Sequence, residues 1–179
     1  MYNLKPINLD NGVIQIHPLK TPDITSHKRL VDDLFEIYGD IDSLPYSEEK
    51  LVNDKDTISK QLLGVVIGYE TKIRYDHFIR LKEENKTIGE VIILTPKRVE
   101  MIYKINDTWL IEYFLNKQAW NLGIMTGAIV AIVRNMQAQG INNIGALVDR
   151  RNLASIRVLE KAGFTKAKHF DLRQDYYEL

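Results

Sequence analysis

Asn152-Leu153-Ala154-Ser155-Ile156-Arg157-Val158-Leu159-Glu160-Lys161-Ala162-Gly163-Phe164 reads as one helix together with its stop. Leu153, Ile156 and Leu159 recur at helical spacing and share one side. Gly163 can take the left-handed conformation in which helices end, and Phe164 can pack back on the last turn. Asn152 and Ser155 stand three positions apart at the helix start, so both can face one cleft. Asparagine offers a donor and an acceptor, and serine a rotatable hydroxyl. Two readings stand side by side: Asn152 caps the helix beside a neutral Ser155, or the pair contacts a ligand, and a capping asparagine can do both.

Upstream, Ile144 to Val148 is short and apolar enough for a central strand. Trp109 to Leu115 is another strong strand, followed by a loop ending at Gly123 and an apolar helix from about Ile124 to Gln137. In Phe114-Leu115-Asn116-Lys117-Gln118-Ala119-Trp120-Asn121-Leu122-Gly123-Ile124-Met125-Thr126, strand, loop and helix start bring free backbone amides together. Such a helix start carries positive dipole charge and can bind a phosphate or pyrophosphate without a basic patch. Gly123 permits close backbone approach, although an ordinary strand-to-helix turn has the same outline. GxxxxGK[ST] and GxGxxG are both absent, which removes the usual support for an ATPase or a dinucleotide-binding protein.

The first half is read by pattern. Val13 to Leu19 alternates as a strand that Pro18 ends or confines to an edge. After Thr21-Pro22-Asp23, Leu30, Val31, Leu34, Phe35 and Tyr38 mark a helix from about Asp23 to Tyr38, stopped at Gly39. Asp40 to Asp56 reads as loop and short helix. Ile58, Leu62, Val65, Val66 and Tyr69 mark a second helix running to about Arg74. His77 to Leu81 and Ile88 to Leu94 make a hairpin around Lys82 to Lys86, and Thr165 to Leu179 supplies two final strands. The order is mixed α/β, antiparallel at its centre, with later strand-helix-strand crossovers that can set neighbouring strands parallel.

The chain of 179 residues fits one domain. Lys plus Arg total 24, as do Asp plus Glu, so the zero formal charge argues against broad electrostatic capture of nucleic acid or membrane. Without cysteine there is no thiolate nucleophile, disulfide frame or cysteine-ligated zinc. His17, His27, His77 and His169 are too scattered to propose a metal set. No apolar run approaches the roughly 18 residues of a membrane span, and the N-terminus lacks a leader pattern, so a cytoplasmic protein is expected.

The helix at Asn152 resembles the N-x-A-S-x-x-V-L-E-K-x-G-F signature of the GNAT acyltransferase superfamily, in particular the branch that acetylates ribosomal-protein N-termini at alanine or serine. The loop about 30 residues upstream resembles that family's Q/R-x-x-G-x-G/A pyrophosphate loop. The resemblance implies a single GNAT-like N-acetyltransferase domain over residues 1–179, its core from about residue 10. It implies an α/β (α+β) fold: a mostly antiparallel sheet of about six to seven strands flanked by about four helices, splayed between the fourth and fifth strands. The cofactor implied is acetyl-CoA as co-substrate, without metal. Gln118, Asn121, Leu122, Gly123, Ile124, Met125 and Thr126 would line the phosphate loop, with Phe114 and Leu115 beside the pantetheine and Asn152 near the pantetheine or thiol.

Ser155 would protonate or hydrogen-bond the leaving thiolate, because Leu159 stands where many relatives carry a tyrosine. Asn121 and Met125 replace small residues of the family loop and are expected to crowd it. Gly127 replaces a frequent glutamate, and Glu112 stands where the branch often has glycine. Leu110, Glu112 and Phe114 share one strand face, which makes Glu112 the leading base or water-positioning group, ahead of Asp175 and His169. Arg150 and Arg151 either approach a cofactor phosphate or stay solvated. The implied reaction is direct acetyl transfer to a primary amine, on a peptide N-terminus or a small molecule, by a monomer or homodimer. A non-catalytic acyl-CoA-binding or regulatory module on the same fold is the alternative.

Overall fold

Alternating runs around Phe78 and Ile92 pair as an antiparallel hairpin, and the other strands add on either side of it. The computed structural model describes residues 3–19 and 27–179. Its strands are β1 (Leu9–Asp10), β2 (Ile14–Pro18), β3 (Arg74–Leu81), β4 (Lys86–Leu94), β5 (Trp109–Leu115), β6 (Ile144–Asp149), β7 (Thr165–His169) and β8 (Gln174–Glu178). They form one eight-stranded sheet in the order β1-β2-β3-β4-β5-β6-β8-β7. Among the described residues the α-helices are α1 (His27–Tyr38), α2 (Lys55–Glu70), α3 (Pro96–Tyr103), α4 (Ile124–Ala138) and α5 (Leu153–Lys161). The expected helix start at Asp23 lies outside the described residues.

Two boundaries differ from expectation, and one helix has no counterpart in it. Helix α2 stops at Glu70 and not at Arg74, because Lys72 turns left-handed at φ 54° and the Ile73 amide closes back on the Gly68 carbonyl at 3.0 Å. Arg74 instead opens β3, where its guanidinium reaches Asp76 on the same strand. Helix α3 begins with Pro96 in its first turn and buries only Pro96 and Val99, too few positions for a periodic signal. Between Asp40 and Asp56 the short helical elements are 3₁₀ turns at Ile41–Ser43 and Glu48–Lys50.

Helices cover both faces of the sheet. On one, α1 and α2 bury Leu30, Leu34, Ile37, Ile58 and Leu62 with Phe78. On the other, α4 buries Met125, Ile129, Ile132 and Met136 with Tyr75, Ile79, Ile93 and Ile111. Each such side chain contributes about 1.5 to 3 kcal/mol over its exposed state. No helix among the described residues is long and apolar enough to cross a membrane.

The parallel pair β5 and β6 is the least complete pairing at the centre of the sheet. Their ladder joins only Trp109 to Ile144 and Leu110 to Gly145. Beyond Gly145, β6 continues in register with β8, from Ala146 opposite Tyr177 to Asp149 opposite Gln174. Gly145 is fixed by this arrangement, since a Cβ there would lie 2.5 Å from the Tyr176 ring.

His77 is wholly buried in β3, and burial lowers its pKa from 6.5 to about 4, against a smaller opposing pull from Asp76. The unfolded chain therefore takes up this proton before the folded chain does. The resulting stability is full above pH 6.5 and is lost as pH falls through about 4. The shift corresponds to about 3 kcal/mol. Urea unfolding midpoints at pH 7 and pH 4 should separate less in His77→Leu than in the parent; equal separations would mean that the imidazole does not drive the loss.

Candidate functional site

Where the β5 and β6 ladder ends, two adjoining cavities open. The larger, about 580 Å³, runs from Phe114 and Leu115 past Ala119, Trp120, Asn121 and the start of α4 to Asn152, Ser155 and Arg157 on α5. The smaller lies between Leu110 to Phe114 and Ala146 to Asp149 and reaches Leu159. Tyr46, Ser47, Tyr113, Phe114, Asn152 and Ser155 line both, so the two form one cleft. Its size falls in the range of about 300 to 1,000 Å³ typical of small-molecule sites.

At one end the chain turns sharply into α4. Asn116 accepts the Gln118 amide at 2.9 Å, which starts the 3₁₀ turn Lys117–Ala119. The Trp120 indole N–H donates to the Leu115 carbonyl at 2.9 Å and holds the loop on the strand end. Asn121 and Gly123 are both left-handed, at φ 62° and 74°. Asparagine tolerates this conformation, so Asn121 does conformational work that glycine does elsewhere. No side chain caps α4, and its earliest amides lack intrahelical acceptors. No atom lies within 4 Å of the place where a Gly123 Cβ would sit, so the helix start is open.

Gly123, Ile124, Met125 and Thr126 all line the larger cavity, as does Asn121. Met125 is 6% exposed and packs into the core, so its bulk is directed largely away from the loop surface. Gln118 and Leu122 stand apart: neither lines either of these two cavities, the Gln118 backbone amide is used within the loop, and Leu122 is 69% exposed.

At the other end, Asn152 Oδ1 accepts the Ser155 amide at 3.0 Å, so the capping bond exists while both side chains line the cleft. The Tyr113 hydroxyl donates to the Ser155 carbonyl at 3.1 Å and ties β5 to α5 across the gap; burial raises the pKa of that phenol. Leu159 is buried beneath Ser155.

Glu112 lines the smaller cavity with Ser155. One carboxylate oxygen accepts the Tyr103 hydroxyl at 2.8 Å, and the other pairs with the Lys50 ammonium at 3.2 Å. Burial first, and then Glu112 itself, raise the Tyr103 pKa, so this hydroxyl stays a donor. Phe114 packs tilted against Tyr38 at 5.3 Å.

Asp175 and His169 lie elsewhere, in an ion cluster on β7 and β8 that lines neither cavity. Burial opposes ionisation of Asp175, but Lys166 at 2.6 Å and His169 at 2.6 Å outweigh it and hold the carboxyl below its usual range. The paired arginines divide as well. Arg150 turns to Asp175, whereas Arg151 lines the larger cavity, held by Asp149 at 2.9 Å and lying over the Tyr46 ring at 5.7 Å. Tyr46, Ser47, Lys50 and Tyr103 also belong to the cleft and were not foreseen in the sequence. No local pattern marks Tyr46 or Lys50, whose partners in the cleft, Arg151 and Glu112, are distant in the chain.

The GNAT acetyltransferase domain profile matches residues 27–165, which include the loop at Gly123 and the helix at Asn152. The chain belongs to the GNAT acetyltransferase family. Among curated relatives of this GNAT protein, the "Probable N-acetyltransferase YjcK" of Bacillus subtilis (strain 168) is 35% identical over 106 residues. The match covers 56% of each chain, so this GNAT protein spans about half the length of that relative.

Solved structures agree over nearly the whole chain. The ribosomal-protein-S5-alanine acetyltransferase of Vibrio fischeri superposes with TM-score 0.71 at 20% identity, covering 96% of this chain and 94% of its own. RimL, a ribosomal L7/L12 alpha-N-protein acetyltransferase in complex with coenzyme A, gives TM-score 0.70 at 14% identity over 97% and 96%. The microcin C7 self-immunity acetyltransferase MccE, in complex with acetyl-CoA and AMP, gives 0.67 at 20% over 94% and 93%. At these identities the likeness is one of fold.

Proposed function

We propose that this GNAT protein moves an acetyl group from acetyl-CoA directly to a primary amine. The observation that carries the reading is a pair of adjoining cavities with uncapped helix amides bordering one and Glu112 and Ser155 lining the other. The amides from Gly123 to Thr126 would hold the pyrophosphate through the α4 dipole. Phe114 and Leu115 would flank the pantetheine, and Asn152 would meet it near the sulfur while its Oδ1 caps α5.

Acetyl-CoA supplies an activated thioester. Glu112 would take the proton that the attacking nitrogen sheds as the C–N bond forms and the C–S bond breaks. Ser155 would donate a hydrogen bond to the departing thiolate. A carboxylate is a modest base, and the acceptor decides how much is asked of it. An α-amine titrates near 8, whereas a lysine amine near 10.4 costs about 4.6 kcal/mol to deprotonate at pH 7. This favours a peptide N-terminus or a small amine of low pKa, in keeping with the alanine and alpha-N acetyltransferases that share the fold.

Calorimetry with acetyl-CoA is the first test, and binding should raise the melting temperature. Ligand at 100 times Kd should contribute about 2.7 kcal/mol. Thiol release should accompany it with some member of a panel of peptide N-termini, lysines and small amines. No affinity at millimolar acetyl-CoA would overturn the reading, and affinity without release across the panel would leave a binding module.

A further inference from the structure

Lys50 ends the 3₁₀ turn Glu48–Lys50 and extends its side chain into the smaller cavity. Its ammonium nitrogen lies 3.2 Å from Glu112 Oε2 and 5.7 Å from the centroid of the Phe114 ring. Glu112 is kept in place from the far side by the Tyr103 hydroxyl at 2.8 Å. A carboxylate and an aromatic face meeting at one point make a corner that suits an ammonium ion, by ion pairing and by attraction to the ring face. Ser155 borders the same cavity. If Glu112 takes the acceptor's proton, the proposed role on which this inference rests, the acceptor nitrogen must come to that corner.

We infer that Lys50 is an internal occupant of the acceptor's ammonium position, and that an acceptor enters as a cationic primary amine by exchanging with it. The exchange keeps one positive charge beside the half-buried Glu112 carboxylate until the bound ammonium gives one proton to solvent and becomes the neutral amine that attacks, after which Glu112 takes the second proton as the C–N bond forms. An alcohol or amide cannot make that exchange, which selects amines over other nucleophiles of similar shape. The Lys50 side chain is 39% exposed and has four flexible methylenes by which to swing into solvent. Lys50 is therefore a specificity-setting gate and no part of the bond-making step.

The test is an amide chemical-shift titration of ¹⁵N-labelled full-length protein with n-butylammonium chloride, against sodium chloride at equal ionic strength, read at Glu112 and Phe114. Lys50→Ala should bind n-butylammonium about threefold to fivefold more tightly than the parent, the effect of removing one competing ion pair. Lys50→Arg should bind like the parent, and n-butanol should leave both amides unmoved. Equal affinity in Lys50→Ala and the parent, or an equal response to n-butanol, would overturn the inference. The titration needs no acetyl-CoA, so its failure beside successful acetyl-CoA calorimetry removes the gate alone, and the converse removes the donor reading alone.

Discussion

Glu112→Gln should lower kcat for acetyl transfer by about 10² to 10³-fold while leaving acetyl-CoA affinity within a factor of about two. The substitution keeps the shape of the side chain and an oxygen for the Tyr103 hydroxyl, but removes the group that can accept a proton. Because the carboxylate sits in the smaller cavity and the α4 amides border the larger one, the proposed donor site and the proposed proton acceptor are separate in space. Steady-state thiol release beside calorimetry separates them in practice. A kcat within threefold of the parent would reduce Glu112 to a structural partner of Lys50 and Tyr103.

Arg74→Met should destabilise the fold by about 3 kcal/mol, or roughly 6 to 12 °C in melting temperature. Arg74 donates from Nε to both Asp76 oxygens, at 2.7 and 2.8 Å, and stands 3.9 Å from Glu90. Asp76 and Glu90 are 1% and 3% exposed, and the Tyr38 hydroxyl also donates to Glu90. Methionine preserves much of the volume but leaves the buried Asp76 carboxylate, and the Glu90 carboxyl beside it, without their shared cation. The outer edge of the guanidinium reaches solvent, which places the cost at the low end of the range for broken buried pairs.

Burial and then Asp76 push the Glu90 pKa upward. A carboxyl raised in the folded state contributes stability below its unfolded pKa of 4.5 and loses it as pH rises through the folded value. Without Arg74 that rise grows, so Arg74→Met should cost more at pH 8 than at pH 5. Denaturant unfolding at both pH values checks the sign, and adding Glu90→Gln should recover part of the loss at pH 8.

The second half of the chain was legible because its signals are local. The start of α5 is announced by Asn152 and its end by Gly163, and both lie within a turn of the residues they organise. Gly123 likewise marks the turn into α4. Glu112 could be placed on a strand face by alternation, but its partner Lys50 lies 62 residues away, and no spacing rule joins them. The buried group of Tyr38, Arg74, Asp76 and Glu90 escaped for the same reason. Each member is ordinary in its own segment, and the cluster exists only because α1 packs over β3 and β4.

The two-rung ladder between β5 and β6 gives this sheet an edge in its own middle. Open strand edges invite pairing with foreign chains, and most proteins blunt or cover those at the rim. Here the unpaired stretch lies between β5 and β6, and the Tyr113 hydroxyl fastens α5 to β5 beside it. An extended ligand lying there would meet unpaired backbone groups of β5 and β6, as an added strand would. The unpaired rungs lie inside the strand order and not at its rim, so this edge is not one that the sheet presents at its margin.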